Sequence, residues 1–152
     1  MTATNHALTG ALIGLTIANP LIALPLAFVS HFMLDATPHY DLPGDEPTRL
    51  QAHRFRYHLA VDTSLCVLLV VALAWTQPKH WLVAAVAAFL ATSPDLFWLP
   101  KFLRIQRTGK VLPTKNWFLR FHSWIQWKTG PKLWWVEAAW YGIFGGFLIT
   151  RL

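Results

Sequence analysis

Residues 7–34 contain no Asp, Glu, Lys or Arg. So long an uncharged stretch constrains the fold more than any other feature of the chain, because it must be buried in protein or in lipid. It exceeds one membrane span of about 20 residues. Asn19-Pro20 divides it, since proline disfavours helix in the residue before it. The pattern predicts two short helices, about 5–18 and 20–36, in a tight spanning or re-entrant hairpin, with Pro25 a possible kink in the second. Further apolar segments follow at Leu59–Trp75, Trp81–Pro94 and Leu133–Thr150. Gly145-Gly146 in the last of these reads as close helix packing.

Composition supports a membrane setting. Hydrophobic residues make up 55% of the 152 residues and charged ones 13%, about half the charged share of a soluble domain. The nine Trp and ten Phe suit interfacial aromatic belts. The expected fold is all-α: a single membrane domain over 1–152 with about five transmembrane or re-entrant helices. A polar loop at 37–57 and a basic, aromatic interfacial segment at 101–131 complete it. No Lys or Arg precedes Arg49, so the N-terminus is expected to be mature. The single Cys66 is read as inert packing.

Charge sets the expected orientation. Lys101 to Lys132 holds eight Lys/Arg and no acid. Its interleaved Trp and Phe favour anionic lipid headgroups over nucleic acid as partner. The two connections 37–57 and 96–132 share one side and carry eleven of the thirteen Lys/Arg. The positive-inside rule makes that side cytoplasmic, in a bacterial-type inner membrane. Oligomerisation is left open.

The ionisable residues of the apolar segments fall on that same side. Two His-x-x-x-Asp pairs, His31/Asp35 and His58/Asp62, lie at facing helix ends. Residues four apart share a helix face, and imidazole with carboxylate makes a two-point metal grip. His6, Asp95 and Glu137 reach the same end by topology. The expected metal ligands are His6, His31, Asp35, His58, Asp62 and Asp95. Mixed nitrogen and oxygen donors suit one or two transition-metal ions, Zn2+ foremost and Mn2+ or Fe2+ next. His39 and Glu137 are the expected proton carriers, and Arg54 and Arg56 the expected phosphate contacts. His122 reads as a headgroup-level residue. His53 and His80 read as ordinary surface residues.

Ser30-His31-Phe32-Met33-Leu34-Asp35-Ala36-Thr37-Pro38 resembles the Ser-His-x-x-x-Asp-x-x-Thr-Pro stretch of the YdjM-like family of small bacterial inner-membrane metal-dependent hydrolases. Ser93-Pro94-Asp95 is similar to that family's Pro-Asp element, and Asn5-His6 to its N-terminal His. Arg120-Phe121-His122-Ser123 is similar to its Arg-Gly-x-Thr-His-Ser element, without the Gly and Thr. The Pro-Asp element comes late here; in the family it usually precedes His-x-x-x-Asp. A weaker likeness is to zinc-dependent phospholipases C, whose ligand order is followed by His31, Asp35, His39, His58 and Asp62. Both likenesses imply hydrolysis of a phosphoester or related lipid bond at the cytoplasmic face. An ion-coupled transport protein, or a non-catalytic lipid- or partner-binding adaptor with a structural metal, stays open as an alternative.

Overall fold

The computed structural model describes residues 1–44, 46–111, 113 and 115–151. The described residues form eight α-helices: α1 Ala3–Thr16, α2 Pro20–Asp35, α3 Glu46–Gln51, α4 His53–Thr76, α5 Trp81–Leu96, α6 Leu99–Thr108, α7 Trp117–Ile125 and α8 Trp134–Ile149. A short 3-10 turn, Pro131–Leu133, leads into α8. The all-α expectation therefore holds among the described residues. The 37–57 connection is more ordered than its composition suggests, with α3 inside it and α4 starting at His53.

The break between α1 and α2 follows from Asn19-Pro20. Pro20 begins α2, and the Asn19 side chain accepts a hydrogen bond from the Leu21 amide at 3.0 Å. This satisfies one of the amide donors that a helix start leaves without a partner. α4 ends at Gln77 and α5 starts after His80, both with left-handed backbone (φ 46° and 69°), so the chain reverses sharply between them. α6 ends at Gly109 with φ 66°, a conformation glycine adopts without penalty.

α1 is the central helix: ten of its fourteen residues are buried. It packs on α2, α4, α5 and α8. Its approach to α5 is close, made possible by Gly10 and Gly14 facing Ala84, Ala87 and Ala91. A methyl carbon on Gly10 would lie 2.4 Å from the Ala87 carbonyl oxygen, and one on Gly14 2.4 Å from Ala84 Cα. Ala7, Leu8, Ala11, Leu69, Leu73 and Leu148 continue this core. Gly145 and Gly146 have open space beside them, so the close packing expected there belongs to Gly10 and Gly14.

Among the described residues, only α4 is long and apolar enough by itself to cross a membrane; α5 and α6, bent by 45°, make a second candidate if they count as one span. α4 has 24 residues, about 36 Å at helical rise. α1, α2 and α8 have 14 to 16 residues, about 21–24 Å, short of a hydrocarbon core of about 30 Å. Just 11% of the apolar stretch of α4 is buried in the protein.

Candidate metal centre

The N-terminal end of α1 gathers the polar groups of the bundle. Asp62 on α4 accepts from the Ala3 amide (2.7 Å), the Thr4 amide (2.8 Å) and the Thr4 hydroxyl. Glu137 on α8 accepts from the Thr2 hydroxyl (2.8 Å) and the Asn5 side-chain amide (2.7 Å). Two carboxylates thus serve the positive end of the α1 dipole, where anions are stabilised. Two of the expected site residues, Asp62 and Glu137, therefore meet the start of α1.

Beside that cap, Asp35 closes α2 with a side chain only 1% exposed. A carboxylate at a helix C-terminus opposes the dipole, so it needs donors. Oδ1 meets the Met1 ammonium at 2.6 Å and His6 Nε2 at 3.1 Å. Oδ2 meets His122 Nε2 and the Gln126 amide, each at 2.8 Å. His31, one turn earlier, places its Nε2 3.2 Å from Oδ2. Its other ring nitrogen, Nδ1, donates to the Ala91 carbonyl of α5 at 2.8 Å. That bond turns Nε2 inward, toward Asp35 and His122. A metal-binding histidine is commonly oriented this way, its far nitrogen tied to a carbonyl.

His122 comes from α7, which is seated by aromatic contacts. Phe32 of α2 meets Phe118 and Phe121 with ring centroids 5.9 and 5.7 Å apart. The Trp127 indole donates to the Ala36 carbonyl at 2.9 Å. The strands of backbone after α2 and α7 also pair: the His39 amide donates to Lys128 O (3.3 Å), and the Gly130 amide to His39 O (3.2 Å).

His31, Asp35, Asp95 and His122 therefore form a group that could hold a metal ion, with one ligand atom from each lying within 4.8 Å of the others. The two Nε2 atoms are 3.0 Å apart, and each is 3.7 Å from Asp95 Oδ1. Ligands about 2.0–2.1 Å from a tetrahedral zinc lie about 3.3 Å from one another, so these spacings need little adjustment. His31, Asp35 and His122 are buried, while the Asp95 side chain is 42% exposed. The group has three buried members and one partly exposed one.

The other expected site residues take different places. His6 lies behind the group, stacked on His31 at 4.1 Å and bonded to Asp35. Its Nδ1 is buried without a partner among the described residues. His58 is not brought to the group; it is exposed and meets Tyr40 at 6.0 Å. Asp62 and Glu137 are engaged by the start of α1. His39 is buried outside the group, its Nδ1 donating to Thr37 O at 2.8 Å. Burial, and then the Met1 ammonium, hold its pKa below the ordinary imidazole range. Arg54 lines a surface groove with His53 and His58, and Arg56 lies against His53. His122 is the member that sequence reasoning set aside. Its signal was the similarity around Arg120–Ser123, together with Gln126 four residues on.

No family model, curated protein or solved structure matches this chain.

Proposed function

We propose that this chain is an integral membrane, metal-dependent hydrolase that cleaves a phosphoester of a lipid or lipid-linked substrate at the cytoplasmic face. The observation that carries this reading is the convergence of His31, Asp35, Asp95 and His122, with His31 Nε2 turned inward by the bond of Nδ1 to the Ala91 carbonyl. The resemblance of 30–38 to the YdjM-like family supports the same chemistry. The membrane part is supported by apolar side chains that the fold leaves outside, such as Leu21, Val67, Leu68, Trp75, Phe89 and Phe147. Exposed apolar area on this scale is a mark of lipid or partner contact. The basic connections support a cytoplasmic orientation.

In this reading His31, Asp35 and His122 hold a divalent ion, with Zn2+ the best fit to two nitrogens and a carboxylate. The bound ion supplies positive charge that acidifies water and steadies an anionic transition state. His122 would offer Nε2 as the tautomer protonated at Nδ1. Gln126 and His6 would keep Asp35 oriented from behind. Asp95, the most exposed member of the group, would accept a proton from water. His39, neutral through its lowered pKa, lies behind the backbone pairing and serves as a reserve proton acceptor.

The test uses sealed vesicles and soluble short-chain phospholipids. Inverted vesicles, which expose the cytoplasmic face, are expected to hydrolyse them, and right-side-out vesicles are not. Asp95→Asn is expected to keep its metal and lose about 10²–10⁴-fold in kcat. Full turnover in Asp95→Asn, or equal turnover from both vesicle orientations, would overturn the assignment.

A further inference from the structure

The start of α4 borders two adjoining hollows that the metal group does not use. The first, about 390 Å3, is lined by Tyr40, Leu42, His53, Arg54, Tyr57 and His58. The second, about 220 Å3, shares Tyr40, Leu42 and His58 with it and continues along Leu59, Val61 and Leu65. The first is therefore cationic and aromatic, and the second has an apolar wall. That wall runs on into the outward face of α4, where Leu68 is 60% exposed and Val71 53%. The second hollow also reaches Met1, whose amine is 2.6 Å from Asp35 Oδ1.

The charges at this place favour an anion. Arg54 makes no ion pair among the described residues. Asp41, beside the second hollow, is already paired with Arg49. Asp62 is already taken by the amides of α1. Arg56 donates to His53 Nδ1 at 3.2 Å, which keeps a second guanidinium at the rim. Guanidinium and imidazole N–H donors match phosphate oxygens. A free phosphate would use the first hollow alone. The continuous path from cationic to apolar lining fits a molecule with a phosphate at one end and a hydrocarbon chain at the other.

We propose that this groove seats the phosphate headgroup of an anionic lipid, with its chain laid along Val61, Leu65 and Leu68, which share one face of α4. The inference names the substrate class for the hydrolase reading and rests on that reading only for the lipid's fate; the seating is read by binding alone.

The experiment is native mass spectrometry of the detergent-purified full chain titrated with phosphatidic acid, phosphatidylcholine or inorganic phosphate. Wild type is expected to prefer phosphatidic acid. Arg54→Gln combined with His58→Gln is expected to lose about tenfold or more of that affinity, the scale of one charge-assisted hydrogen bond. Leu65→Gln is expected to weaken lipid binding without changing binding of inorganic phosphate. Lys79→Gln with Arg151→Gln, which removes the two cations outside the basic connections, is expected to leave affinity unchanged. The proposal is overturned if the Arg54/His58 variant binds like wild type. It is also overturned if the Lys79/Arg151 variant loses as much, or if inorganic phosphate binds as tightly as the lipid. His31→Ala separates the two ideas: it should lose turnover and still bind phosphatidic acid. Lipid preference in a wild type with no turnover would leave this proposal standing and remove the hydrolase reading.

Discussion

Asp35 is the residue on which the polar end of the molecule turns. Its two oxygens receive Met1, His6, His122 and Gln126, and it has almost no exposure. Asp35→Asn swaps an acceptor for a donor facing those donors and leaves the Met1 ammonium uncompensated. Breaking a buried charged pair costs about 3–5 kcal/mol. We expect Asp35→Asn to lower stability by about that amount in thermal unfolding, and His58→Ala, at an exposed position, to change it by less than about 0.5 kcal/mol. A similar small effect from both would contradict the central place given to Asp35. The pairing of His31 with Asp35 was legible in the sequence, because a spacing of four puts two side chains on one face. The same spacing in His58/Asp62 misled, since spacing does not say what that face meets. Asp62 turned to the first amides of α1, and His58 turned outward. His122 carried no spacing signal to another ligand; the packing of α7 on Phe32 is what brings it in.

At the scale of helices, the α1–α5 contact holds the site together, because α1 carries His6 and α5 carries both Ala91 O and Asp95. Overpacking a close contact costs about 1–3 kcal/mol. Gly14→Ala should therefore destabilise the protein by about that much, measured by chemical or thermal unfolding. Gly145→Ala should instead stabilise it by about 0.4–1 kcal/mol, since open space lies beside it and alanine is the better helix former. Opposite signs check the helix packing, and the same sign would contradict it. Helix existence was legible from apolar runs, and helix ends from Asn19-Pro20, Thr76-Gln77-Pro78 and Gly109. The glycines at the crossing were not. Gly10 and Gly14 and the pair Gly145-Gly146 look alike in a sequence, and only the rotation of each helix decides which meets a neighbour. The early start of α4 at His53 and the short α3 were also hidden. Leu50 on α3 is buried with Phe102 and Ile105 of α6, and Phe55 packs on them, a long-range contact that local composition does not encode.

Across the whole molecule, alternating helix direction brings the polar ends of α1, α2, α4, α5 and α8 to one end of the bundle. The argument from topology anticipated that end because it needs only the count and direction of helices. It could not anticipate how the end divides into a carboxylate cap on α1 and a separate His/Asp group, since that depends on side-chain reach. The group draws on residues 31, 35, 95 and 122, and an ion held by His31, Asp35 and His122 would tie α2 to α7 beside Asp95 of α5. The most direct measurement is metal content of the detergent-purified protein by elemental mass spectrometry, beside His31→Ala, His122→Ala and His58→Ala. The account predicts about one transition-metal ion per chain in wild type and in His58→Ala, lost in the other two. A folded wild type that takes up no ion when Zn2+ or Mn2+ is supplied, or a His122→Ala protein that keeps its metal, would contradict it.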